Sequence, residues 1–122
     1  MFTDTGRALV VTSSRRAIAE TIVRADGALA RGLGLVVLRL RRDQALWLEP
    51  CNGVHTLFLR YPIDVLVLDH ELRVVALRAD VRPWRLVSPV RGGRITVELA
   101  AGTLAAYGVR VGDTLALASP PD

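Results

Sequence analysis

The stretch DVLVLD, residues 64–69, sets four consecutive aliphatic side chains between two aspartates. Successive side chains of a strand point to opposite faces, so this run is apolar on both sides and needs cover over each. The rest of the chain has to supply that cover. Its 122 residues suit one domain spanning 1–122, which buries about two-thirds of the surface exposed by the extended chain.

Other segments fall into place around this strand. ALVVT (8–12) is a β-branched run that reads as a first strand. Ser13 or Ser14 then offers an N-cap for a helix through RRAIAETIVRAD, with Ile18, Ile22, Ala25 and Leu29 as its apolar stripe and Gly27 as its stop. LVVLRL (35–40), ALWLE (45–49) and HTLFL (55–59) read as strands, as does RVVALRADV (73–81) after the turn DHE. RITVELA (94–100) alternates, which puts Ile95, Val97 and Leu99 in the core and exposes Arg94 and Thr96. TLAAYG (103–108) predicts a short helix, and TLALA (114–118) closes the chain as a strand. The fold class expected is α+β, mainly β. It is a small curled or barrel-like sheet of seven to eight strands, with one N-terminal helix and a short helix before a Gly-Asp corner, since closure removes exposed edges.

Composition excludes some function classes. MFTDTGR has no basic region followed by an apolar stretch, and the longest uncharged aliphatic run, Leu33 to Leu38, is too short to span a bilayer. A single cysteine fits a reducing compartment, so a cytoplasmic location is expected. All 16 basic residues are arginine. They are unevenly spread: residues 1–42 carry eight Arg against three acids, 43–80 three against six, and 81–122 five against three. Apart from RLRR (39–42), which suits a solvated edge, no basic block supports a nucleic-acid partner.

CNGVHTLFLRYPID (51–64) holds Cys51, His55 and Asp64. A nucleophilic pair needs the imidazole within hydrogen-bond reach of the thiol, yet in an extended strand residues four apart lie about 13 Å from each other. The structural alternative makes Cys51 a buried small residue, has His55 donate to a backbone carbonyl, and has Asp64 cap a turn at Pro62. Zinc needs two ligands beyond Cys-x3-His, and no second cysteine exists, so neither metal nor cofactor is expected. A third reading takes the polar side chains as a binding rim. RPWR (82–85) sets Trp84 between Arg82 and Arg85, a surface suited to an anionic or planar group. In GVRVGD (108–113), Gly112 suits positive φ in a tight turn whose amides the Asp113 carboxylate accepts. Such corners recur in small β-barrels, some of which bind DNA.

From Ala45 to Gly112 the chain resembles one bacterial and archaeal family, domain of unknown function 192, also called uncharacterised protein family 0127. The resemblance rests on ALWLEPCNGVHTLFLRYPIDVLVLD, RPWR, VELAAG (97–102) and VGD (111–113), in the family's order and spacing, with RGLGL (31–35) a weaker echo. It implies a small β-rich domain with no established activity. The polar positions that match are Cys51, His55, Thr56, Arg60, Asp64, Arg85, Glu98 and Asp113. Leu57, Leu59 and Ala100 depart from the family's usual Phe, Met and Pro, which removes a thioether and a rigid corner. Glu98 is outward by period but matches a family position, so it is expected to be partly buried beside an arginine.

The functional expectation is a non-enzymatic protein that binds an unidentified small molecule or protein. Its candidate residues are Cys51, His55, Arg60, Asp64, Trp84, Arg85 and Glu98, with Gly112 and Asp113 as a structural corner. The rivals are an enzyme using Cys51 with His55, and a DNA-binding barrel.

Overall fold

The computed structural model describes residues 1–36 and 39–119. Its strands, in chain order, begin with β1 (Phe2–Asp4), β2 (Ala8–Val11), β3 (Arg16–Ala19), β4 (Thr21–Ala25), β5 (Gln44–Leu48) and β6 (Val54–His55). They continue with β7 (Ile63–Leu68), β8 (Val74–Val81), β9 (Leu86–Val87), β10 (Ile95–Ala100) and β11 (Leu115–Ala118). Helix α1 covers Gly27–Leu33, followed directly by a 3-10 turn at Gly34–Val36, and α2 covers Thr103–Tyr107. The α+β, mainly β expectation holds. In place of seven or eight strands in a barrel-like sheet, the described residues form eleven strands in three separate ladders, none closing a ring. Among the described residues no helix is long and apolar enough to cross a membrane.

The doubly apolar run sits where its chemistry requires. The largest sheet has the order β1-β4-β5-β10-β7-β8, antiparallel except for the parallel β4–β5 pair. Every residue of β7 is buried. One face of this sheet carries Ala45, Trp47, Leu66, Val97 and Leu99, packed against the β11-β2-β3 sheet and α2 through Leu9, Ile18, Leu104 and Leu115. The opposite face carries Leu46, Leu48, Ile63 and Val65, covered by Ala30 of α1, Leu35, Leu59 and Val87. Each fully buried leucine of these layers contributes about 1.5–3 kcal/mol.

Burial on both faces also corrects the reading of β10. Ile95, Val97 and Leu99 are core and Arg94 is exposed as expected, but Thr96 is fully buried. Alternation marks a half-exposed strand only when one face meets water, and here β10 lies between β5 and β7 with layers above and below.

The N-terminal helix does not form over residues 15–26. Those residues make β3 and β4, because pairing outweighs a stripe that β-branched Ile18, Thr21, Ile22 and Val23 fill equally well in strands. Ser14 Oγ accepts the Arg16 N–H (3.3 Å) in the β2–β3 turn, where Arg15 has φ 59°, so the serine serves a hairpin and not a helix cap. The helix begins at Gly27, the expected stop, and Leu29 points to solvent. The strand expected at 35–40 starts instead as the 3-10 turn, and residues 37 and 38 lie outside the described ones. The strand expected at 55–59 ends at His55 and gives way to a turn.

The Gly-Asp corner has the expected build. Gly112 has φ 97°, and the Asp113 carboxylate accepts the Arg110 N–H at 2.8 Å. Two main-chain bonds, Gly112 N–H to Val74 O and Val74 N–H to Asp113 O, dock this corner on β8. Open space surrounds the position a β-carbon on Gly112 would take, so only the backbone conformation resists substitution there. Gly112→Ala is therefore expected to cost about 1 kcal/mol or more. Urea unfolding measures it, and an unchanged midpoint contradicts the corner argument.

Candidate functional site

The polar face of β10 builds the first part of the site. Thr96 and Glu98 share that face, and Thr96 Oγ1 donates to Cys51 O (3.0 Å) and accepts the Gly53 N–H (3.3 Å). One buried hydroxyl thus fixes the turn between β5 and β6. Asn52 holds the turn from the other side, donating to Val90 O (2.6 Å) and accepting the Val90 N–H (2.8 Å). Gly53 is required in this turn, since its φ is 98° and a β-carbon there would lie 2.5 Å from Val87 O.

The turn delivers Cys51 and His55 to one cavity of about 220 Å³, which Arg31, Gly34 and Glu98 also line. The Cys51 thiol is half-buried and donates to Gly53 O at 3.1 Å. Burial pushes its pKa up. His55 Nδ1 accepts the Leu57 N–H (3.2 Å), which leaves Nε2–H to donate to Gly32 O (3.0 Å). The imidazole therefore bonds two backbone groups, tying α1 to the corner, and makes no hydrogen bond to Cys51. Glu98 is 4% exposed, and among the described residues it has no hydrogen-bond or ion-pair partner. The arginine expected beside it is not within ion-pair reach. Burial alone pushes its pKa up to about 8.

The second part of the site hangs on Thr56, also fully buried. Its hydroxyl donates to Arg82 O (2.7 Å) and accepts the Arg85 N–H (2.8 Å). Its backbone adds bonds from Thr56 N–H to Arg85 O and from Trp84 N–H to Thr56 O. These bonds pin the 82–85 loop to the turn that follows β6. Phe58 (φ 67°) and Trp84 (φ 64°) emerge from the two segments in contact, ring centroids 4.8 Å apart and edge to face. They are 65% and 57% exposed. With Arg39, Arg60 and Tyr61 they line an open hollow of about 630 Å³, which meets the Cys51–His55 cavity at Leu35 and Leu59. The Arg39 guanidinium lies 4.7 Å from the Tyr61 ring centre.

The candidate residues thus divide. Cys51, His55 and Glu98 share the smaller cavity, while Arg60 and Trp84 share the larger hollow. Arg85 is exposed beside them, its guanidinium 3.5 Å from Pro83 O and Trp84 O. Asp64 is elsewhere, fully buried, accepting the Asp80 and Leu104 N–H groups, both at 2.9 Å. It joins β8 to the start of α2 and bonds neither His55 nor Arg60. Gly112 and Asp113 are at the far corner described above. Sequence reasoning passed over Phe58 as a strand residue, and over Arg31 and Gly34, whose only signal was the RGLGL element. Among the described residues no three His, Cys, Asp or Glu side chains are grouped closely enough to hold a metal.

Two outcomes follow from this geometry. The half-buried Cys51 thiol should react with iodoacetamide at neutral pH more slowly in the folded protein than in urea, and His55→Ala should not slow it further. Fast native labelling that collapses in that variant would restore the cysteine–histidine pair. For Glu98, folded protein keeps a proton that the unfolded chain releases above its ordinary pKa of 4.5. The resulting stability is fully present below that pH and is lost as pH rises toward about 8. Glu98→Gln should flatten this part of the stability–pH curve, and urea melts across the range test it.

Residues 9–117 match the family described as domain of unknown function 192, an uncharacterized ACR. An uncharacterised family 0127 protein of Pyrococcus furiosus is 36% identical over 96 residues, covering 75% of this chain and 81% of its own. The fold is shared with a Sinorhizobium meliloti protein provisionally called a transcription regulator (TM-score 0.78, 22% identity, 91% of this chain and 92% of that one). It is shared too with a protein of unknown function from Novosphingobium aromaticivorans (TM-score 0.77, 16% identity, 94% and 84%). With the family match spanning β2 to β11, the chain belongs to domain of unknown function family 192, the uncharacterised protein family 0127.

Proposed function

We propose that this chain is a single-domain, non-enzymatic binding protein of the cytoplasm. Its ligand or partner would contact the face between the 51–64 corner and the 82–85 loop. One observation carries the reading: Phe58 and Trp84 are held out in solvent, side by side, on backbone that side chains rarely adopt. Each such positive φ costs about 1–3 kcal/mol, and the burial of either ring would have contributed about 1.5–3 kcal/mol. A fold that accepts both losses at adjoining positions keeps the rings for something outside itself.

The surrounding charge indicates what that is. Arg60, Arg82 and Arg85 are exposed and make no ion pair among the described residues. Guanidinium groups around two rings suit an anionic group attached to a planar one. A second reading, single-stranded nucleic acid, draws on this same interleaving and on the regulator role given provisionally to the Sinorhizobium protein. Against the enzyme reading, the thiol is raised in pKa and bonded to Gly53 O, and the imidazole is bonded elsewhere.

Trp84 is the exposed tryptophan and Trp47 the buried one, so fluorescence quenching reports this face. Iodide should quench more strongly than caesium, because the arginines concentrate anions there. Adenosine monophosphate should quench saturably, and Trp84→Ala should abolish the response. An oligothymidylate binding far more tightly, with a steep salt dependence, selects the nucleic-acid reading. Equal quenching by both ions and no saturable response to either nucleotide probe would sink the proposal.

A further inference from the structure

We propose that the cavity beneath the Cys51–His55 corner binds a small zwitterion of the α-amino-acid type, its ammonium on Glu98 and its carboxylate on Arg31. The site uses different polar side chains from the aromatic face, so it stands or falls separately from that face.

Glu98 is the first reason. In the middle of β10 it lies opposite Leu46 on one side and Val65 on the other, and neither offers a polar side chain. Among the described residues its carboxyl has no hydrogen-bond or ion-pair partner, a costly feature for a core position that an apolar residue would fill more cheaply. The group is also open toward the cavity. Its Oε1 lies 3.5 Å from the point a β-carbon on Gly34 would occupy, so glycine there leaves the carboxyl uncovered.

Arg31 is the second. It lines the same cavity from α1, half-buried, and makes no ion pair among the described residues. An acid and a base therefore border one small cavity and do not join each other. The Cys51 sulfur feels both, Glu98 raising its pKa and Arg31 lowering it. A ligand with two opposite charges complements this pair where a simple amine or acid matches only half of it. The other walls, Leu33, Leu35, Val54 and Leu59, are apolar and suit a short aliphatic side chain. The volume, about 220 Å³, fits a small amino acid.

Binding carries a proton signature. In the free protein burial holds Glu98 protonated below about pH 8. An ammonium seated on it stabilises the carboxylate, so the proton leaves to solvent as the ion pair forms. The other titratable or charged groups facing Glu98 are Cys51, His55, Tyr61 and Arg31. Of these, His55 already has both ring nitrogens bonded to backbone.

Calorimetry with L-alanine, ethylamine and propionate tests the proposal on the intact protein. L-alanine should bind, with ethylamine and propionate each roughly tenfold or more weaker. Heats in buffers of different ionisation enthalpy should show about one proton released per ligand at neutral pH, falling away as pH passes the Glu98 pKa. Glu98→Gln and Arg31→Gln should each abolish binding. The half-exposed Arg31 position keeps the test valid if the Glu98 variant fails to fold. Four results overturn it: no L-alanine binding at millimolar concentration, ethylamine as tight as L-alanine, no proton release, or full affinity in a folded variant.

Discussion

The polar face of β10 is the constraint on which the functional end of this molecule depends. The strand lies between β5 and β7 with layers on both sides, so Thr96 is fully buried and Glu98 only 4% exposed. Thr96 resolves its burial by bonding the Cys51–Gly53 backbone, which converts a desolvation cost into the positioning of a turn. Glu98, two residues on, finds no such partner among the described residues. The same face therefore supplies both the scaffold of the cavity and a carboxyl group with no hydrogen-bond partner among the described residues.

Thr56 repeats this device outside the sheet. A single buried hydroxyl holds the turn after β6 and the 82–85 loop together, with four short main-chain and side-chain bonds meeting at one residue. Because the loop is fixed from beneath, its outer side can carry Trp84 at positive φ against Phe58 without collapsing inward. Asp64 is a third buried polar group, and it answers purely structural needs by accepting two backbone amides from β8 and α2. Thr96, Thr56 and Asp64 thus organise backbone, whereas Glu98 bonds no backbone among the described residues.

Some of this architecture was legible in the chain. DVLVLD became the fully buried β7, GVRVGD became a positive-φ corner with its carboxylate on an amide, and TLAAYG became α2. These are local signals: an uninterrupted apolar run, a glycine–aspartate turn and a short apolar helix repeat the same physics in most surroundings. The set Cys51, His55 and Glu98 was also visible as matching positions, though the residues lie 43 or more apart across the Glu98 gap. Failures came where one pattern served two structures. Ile18 and Ile22 suit a helix face or two strands, and pairing chose strands, β3 with β2 and β4 with β1 and β5.

What the sequence determined by itself was the class of fold and the existence of a doubly covered sheet, because burial of consecutive aliphatic side chains allows few alternatives. What only the tertiary structure decided was which buried polar residues would bond backbone and which would border a cavity. Thr96 and Glu98 carry the same alternation signal, yet one meets a backbone turn and the other an open cavity. Phe58 read as an ordinary strand residue and Trp84 as a rim aromatic, but only the Thr56 bonds set their backbone and brought the two rings together in solvent. Partners distant in the chain fix these outcomes, and a hydrogen bond to a residue some thirty or forty positions away leaves no local trace.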